Sequence, residues 1–214
     1  MLKARVAALY VDRCGPYFGR DEVDAWDLTR DARLYEGPLP VVAHPPCGPW
    51  GRLRHMYRGS EHDCAPRAVE QVRRYGGVLE HPQHSLLWAH CCLPYPDGLS
   101  FGDGFTVALD QCSWGHVARK ATWLYCVGID RGLVLRTLRT GGTPTHWISG
   151  GRGRLGKKAK TTPVPDGIKI CGAEQRRRTP PAFADWLIWL ATTARQEDFY
   201  EPSTRPIAVS RARR

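Results

Sequence analysis

Every apolar run in this chain is short and is stopped by a turn. Arg5–Val11 (RVAALYV) ends at Asp12 and Gly15-Pro16, Leu39–Ala43 (LPVVA) at His44-Pro45-Pro46, and Val78-Leu79-Glu80 at His81-Pro82. Runs of this length, bounded by Pro, Gly or charge, read as buried strands rather than helices. Between the second and third lies residues 64–75, where Ala65, Ala68, Val69, Val72 and Tyr75 share one stripe and Arg67, Glu70, Arg73 and Arg74 lie off it. That is an amphipathic helix, with Asp63 placed to cap it and Gly76-Gly77 to stop it. Residues 105–111 and 121–129 add two further strands, Ser85–His90 a short helix, and Pro180-Pro181 opens a last helix over roughly 181–195. Residues 12–38 read as turns, with one helical turn near Asp27. Strands alternating with helices predict an α/β sheet. Ligands of such sheets bind beyond the carboxyl ends of the strands, which here carry Asp12, His44 to Trp50, and Glu80 to His84.

The expected organisation is a single α/β domain over 1–195, with a basic loop insert at 136–172 and a polar tail at 196–214. No apolar run approaches the ~18 residues of a membrane span. No secretory signal is expected behind Met1-Leu2-Lys3-Ala4-Arg5. The eight cysteines include no CxxC pair, so reduced thiols in a cytoplasm are expected, and no metal site. The net charge of +10 points to a polyanionic partner, most simply nucleic acid. Arg52, Arg54, Arg152, Arg154, Lys157, Lys158, Arg176 and Arg177 are the candidate phosphate contacts.

Three local signals carry chemistry. In Ala43-His44-Pro45-Pro46-Cys47-Gly48-Pro49-Trp50 the prolines rigidify a strand end and present Cys47. Cys47 there is a candidate nucleophile, which needs an exposed and polarised setting. A packed structural cysteine is the plainer alternative. In Gly76-Gly77-Val78-Leu79-Glu80, a carboxylate closes an apolar strand. Burial there is expected to raise its pKa and make it a proton donor. Gly115 to Gly128 is a basic turn, with Arg119 and Lys120, feeding a strand.

In that order the three signals resemble the DNA (cytosine-5) methyltransferases, and the chain looks like a short, divergent, phage-encoded member or relative of that family. The family's nucleophile follows Pro-Pro, as Cys47 does. Its Glu-Asn-Val strand end is matched by Glu80, followed here by His81-Pro82. Its Gly-x-Pro-Gln-x-Arg-x-Arg turn is matched by Gly115 to Gly128 without the Gln, with Arg119 and Lys120 as the basic residues. Trp26-Asp27-Leu28-Thr29 is similar to its Gly-Asp-Ile-Thr element, and Arg178 to Phe183 loosely echoes the segment before its last helix. The resemblance implies a truncated Rossmann-like methyltransferase sheet with flanking helices and a reduced or absent target-recognition domain. It implies transfer of a methyl group from S-adenosylmethionine to DNA, with Cys47, Glu80, Arg119 and Lys120 catalytic and Asp12, Gly15, Asp27, His44 and Pro45 near the cofactor. The family's glycine-rich loop has one candidate, Asp12 to Tyr17, with one glycine. Two alternatives remain open: a pyrimidine-nucleotide enzyme that uses Cys addition without S-adenosylmethionine, and a non-catalytic nucleic-acid-binding protein on a decayed methyltransferase fold.

Overall fold

The computed structural model describes residues 4–96, 98, 104–148 and 167–195. In chain order the elements are β1 (Val6–Leu9), β2 (Val23–Trp26), β3 (Val41–Ala43), α1 (Cys64–Tyr75), β4 (Gly77–Pro82), α2 (Leu87–His90), β5 (Phe105–Asp110), β6 (Ala121–Val127), α3 (Arg131–Thr137), β7 (His146–Trp147), β8 (Lys169–Ile170), α4 (Ala173–Arg177) and α5 (Pro181–Thr192). Six of the strands form one sheet in the order β2-β1-β3-β4-β6-β5, and β7 and β8 pair separately. Strands β2, β1, β3 and β4 run parallel. Strand β6 runs antiparallel to both of its neighbours, β4 and β5. The α/β expectation is met, in a mixed sheet compatible with a Rossmann-like arrangement.

Side chains alternate across a strand, and the parity here is clean. Val6, Ala8, Val42, Val78, Leu124 and Cys126 face Phe183, Leu187, Leu190 and Ala191 of α5. Ala7, Leu9, Val41, Ala43, Leu79, Trp123 and Tyr125 face Ala65, Ala68, Val69 and Val72 of α1. With both faces covered, the parallel strands have no polar side, which is why β1 is fully buried along its length. Each buried valine of α1 contributes about 1.5–3 kcal/mol relative to exposure. The Gly76 amide donates to Val72 O at 2.9 Å and ends α1. Gly77 then lets β3 and β4 close up: its φ is +112°, and a Cβ there would lie 2.0 Å from Val41 O.

Four local expectations are corrected. Strand β2 occupies part of the segment read as turns, because Asp24 is neutralised at the sheet edge by Arg30 (2.6 Å) and by the Trp26 indole N–H (2.8 Å). Helices α3 and α4 were not expected; α3 buries only Val134 and α4 buries nothing, so neither shows an apolar stripe. Asp63 does not cap α1 with its side chain; its carboxylate instead takes the Arg33 guanidinium at 2.9 Å. The basic loop insert expected at 136–172 includes the short strands β7 and β8. Residues 149–166 and the tail 196–214 lie outside the described residues. No helix among the described residues is long and apolar enough to cross a membrane.

Candidate active site

Strand order reverses at β1: its chain successor β2 lies on one side and β3 on the other. The crevice beyond the carboxyl ends of β1 and β3 is therefore the topological switch point, where ligands of open α/β sheets bind. Tyr10, Val11 and Asp12 leave β1 there, and His44-Pro45-Pro46-Cys47 leave β3. The His44 amide continues the ladder to Leu9 O at 3.0 Å. The Cys47 carbonyl accepts from the Trp50 and Gly51 amides at 3.2 and 2.8 Å. This closes a turn that leaves the thiol exposed, as the flanking prolines predict.

Parity sets the rest. His44 extends the face of Val42, Glu80 that of Val78, and Thr122 and Lys120 that of Leu124, so all four point to the α5 side of the sheet. Glu80 is 7% exposed. His44 Nδ1 lies 3.1 Å from Glu80 Oε2, and the Tyr17 hydroxyl lies 2.6 Å from His44 Nε2. Gln111 Nε2 donates to Glu80 Oε1 at 2.9 Å and to Thr122 Oγ1 at 3.0 Å. The Thr122 hydroxyl sits 3.2 Å from Glu80 Oε1 and 3.1 Å from the Lys120 carbonyl, and shares one proton between them. Asp110 holds this corner: its Oδ1 accepts from the Cys112 and Lys120 amides, both at 3.0 Å.

The electrostatics reverse one expectation. Burial alone raises the Glu80 pKa, but the Lys120 charge and the His44 hydrogen bond, with smaller contributions from the His44 and His81 rings, outweigh it and hold the carboxyl at about 2. Glu80 is thus ionised, not a resting proton donor. The Cys47 thiol is pushed up, first by desolvation and then by the Glu80 charge, while Lys120 and Arg177 oppose the rise. Although the cysteine touches solvent, enough protein surrounds it to desolvate a thiolate. These couplings place Cys47, Glu80, Lys120 and Arg177 in one field. His81 has no exposed surface, and burial pulls its pKa down to about 4. Neither of its ring nitrogens has a partner of good geometry, although the Pro46 carbonyl is near enough to act on it.

The other expected residues divide. Arg119 is exposed and has the opposite parity from Lys120, so it turns away from Glu80. Asp12 is exposed and accepts from the Cys14 amide at 2.9 Å. Gly15 serves the same turn, donating to Asp12 O at 2.8 Å. Asp27 directly follows β2, and its Oδ1 accepts from the Thr29 and Arg30 amides at 2.9 and 3.2 Å. Pro45 is buried beside His44. Arg52 and Arg54 are exposed in the loop that follows Cys47, and Arg176 is half-buried on α4. Arg152, Arg154, Lys157 and Lys158 lie outside the described residues. Sequence reasoning missed Tyr17, Gln111 and Thr122, single polar residues with no spacing to mark them.

An open cleft of about 300 Å³ lined by Trp114, Arg139, Trp186 and Trp189, among others, shares no residue with this site. Among the described residues no cluster of His, Cys, Asp or Glu could hold a metal ion. No family model, curated protein or solved structure matches the chain.

Proposed function

We propose that this protein modifies a pyrimidine base in DNA, as a cytosine-5 methyltransferase or a close base-modifying relative acting in the cytoplasm. The observation that carries the reading is the parallel pairing of β3 with β4, Ala43 opposite Leu79, which brings Cys47, just beyond the end of β3, to the same end of the sheet as Glu80.

Carbon 5 of cytosine is a poor nucleophile. A Cys47 thiolate adding to carbon 6 pushes the double-bond pair toward carbon 5 and makes it enamine-like. The site opposes a thiolate while Glu80 is charged. A ring that donates its amino N–H to Glu80 and places N3 beside it removes that opposition: the proton lost by sulfur balances the one gained by the Glu80–N3 contact. Lys120 and Arg177 favour the thiolate further. After transfer to carbon 5, water takes the carbon-5 proton, the ring expels the Cys47 sulfur as its double bond re-forms, and the proton held at the Glu80–N3 contact returns to that sulfur. The base must leave the duplex to reach Cys47, at a cost of a few kcal/mol. The exposed Arg52 and Arg54, with Arg177, suit the flanking phosphates.

S-adenosylmethionine supplies an electrophilic methyl when bound. The residues fit it by donor chemistry. Asp27 stands at the end of β2, where an acidic residue accepts ribose hydroxyls in sheets of this kind, and its bonds to Thr29 and Arg30 use Oδ1 alone. Asp12, at the end of β1, accepts from the Cys14 amide through Oδ1 alone. The turn after β1 leads into no helix, so it offers no phosphate cradle, and this cofactor carries no phosphate. His44 is engaged on both nitrogens and Pro45 is buried, so they offer a wall rather than hydrogen bonds.

The test is DNA containing 5-fluorocytosine, incubated with the protein and S-adenosylmethionine. A covalent adduct is expected with wild type and none with Cys47→Ala. A wild type that forms no adduct, and leaves no modified nucleoside in co-expressed DNA, overturns the reading.

A further inference from the structure

In the chain Tyr17–His44–Glu80 the carboxylate sets the proton on the ring. Nδ1 lies 3.1 Å from Glu80 Oε2, where a lone pair would be repelled and an N–H is held. Tyr17 is 2% exposed, and a phenolate there would face the charge of Glu80; burial and that charge both raise its pKa well above the ordinary value. Its hydroxyl is therefore protonated, and it lies 2.6 Å from His44 Nε2. A hydroxyl can donate or accept; a neutral ring whose one proton is on Nδ1 has a bare Nε2, and the hydroxyl fills it as the donor. One tautomer thus satisfies both contacts.

We propose that Tyr17 and His44 are positioning residues: the buried hydroxyl locks His44 in its Nδ1–H tautomer, and that N–H clamps one oxygen of Glu80 while Gln111 and Thr122 hold the other. The carboxylate is then fixed for a base presented beside Cys47, a role that rests on the function proposed above. The lock itself rests only on the geometry. It is not a proton wire. Passing a proton from Tyr17 to His44 would leave a buried phenolate near Glu80, which is a costly charge pair. The charged groups around the chain are Lys120, acting on Glu80, and Arg20 and Asp185, acting on Tyr17; the neutral, buried His81 ring also borders Glu80.

Two measurements on the full chain test the lock. The first is the nitrogen-15 shifts of the His44 ring. Wild type is expected to show Nδ1 protonated and Nε2 bare at pH 7, and Tyr17→Phe to lose that preference. The second is the rate of adduct formation on 5-fluorocytosine DNA. His44→Asn keeps an N–H near the Nδ1 position and is expected to stay within about threefold of wild type. His44→Gln does not, and is expected to fall roughly tenfold, the equivalent of one lost hydrogen bond. Tyr17→Phe is expected to fall roughly tenfold, because without the hydroxyl the ring is free to carry its proton on Nε2 and leave Glu80 without that donor. Thermal melts check that each variant is folded. A wild-type His44 protonated on Nε2 overturns the lock, as do equal rates for the Asn and Gln variants or a Tyr17→Phe rate equal to wild type. If wild type forms no adduct, the base-modification reading fails, and the ring shifts alone decide the lock.

Discussion

Gln111 spends both of its amide protons beneath Glu80, one on the carboxylate at 2.9 Å and one on Thr122 at 3.0 Å. It is fully buried, and it stands in the short 3-10 turn that joins β5 to β6. Gln111→Leu leaves a buried carboxylate short of a donor. It is expected to cost about 1–3 kcal/mol, read from urea unfolding. A double-mutant cycle with Thr122→Val should show non-additivity. A loss below about 0.5 kcal/mol, within the range of an ordinary surface change, would mean that the bond is not made in solution.

Acid should unfold the protein in two windows. The Glu80 pKa is lowered from 4.5 to about 2, so its contribution is complete above 4.5 and is lost as the pH falls toward 2. The His81 pKa is lowered from 6.5 to about 4, so the unfolded chain takes that proton first and stability declines as the pH falls from 6.5 to 4. In both windows the unfolded state binds more protons, which fixes the sign. Unfolding free energies measured against pH should lose the lower slope in Glu80→Gln and the upper slope in His81→Phe. The second variant should be nearly neutral at pH 7, since an apolar ring of similar shape replaces one whose nitrogens make no hydrogen bond of good geometry.

Alkylation of Cys47 by iodoacetamide, followed by mass spectrometry of its peptide, reports the field around the thiol. Glu80 raises the thiol pKa and Lys120 lowers it. At pH 7.5, Glu80→Gln should therefore react faster than wild type and Lys120→Met slower. Cys14 and Cys92, also exposed, serve as internal standards whose rates stay constant. Equal Cys47 rates in the three proteins would separate Cys47 from both charges.

Gly77→Ala should be among the most damaging single substitutions. It combines a positive φ with a Cβ 2.0 Å from the Val41 carbonyl, a clash with backbone rather than with a side chain that could move. A loss of more than about 3 kcal/mol is expected, seen as a collapse of soluble yield or of the melting temperature. A stable alanine variant would show that β3 and β4 can separate.

The sequence was most informative where apolar pattern and punctuation agreed. The runs before Asp12, His44 and His81 became β1, β3 and β4, and the stripe Ala65, Ala68, Val69 and Val72 became the buried face of α1. Pattern failed where partners are distant. Val23-Asp24-Ala25-Trp26 reads as polar until Arg30 neutralises Asp24. Glu80 lies on β4 but does not close it, since the strand runs on through His81 and Pro82 and pairs them with Trp123 and Thr122; its charge was misread, because the residues that decide it come from β3, β6 and the turn after β5. Burial alone predicts a raised pKa. Burial beside Lys120 and a donating His44 gives the opposite, and only the fold brings those groups together.

The helix that covers the first strand is the last of the described elements. Val6 and Ala8 are sealed by Phe183, Leu187 and their neighbours on α5. Until the ribosome has added and released that helix, one whole face of the parallel strands has nothing to pack against. For most of synthesis the nascent chain therefore carries an open apolar sheet, the kind of surface that chaperones bind and that drives aggregation. Expression yield should then depend more on chaperone supply and growth temperature than on the stability of the finished protein.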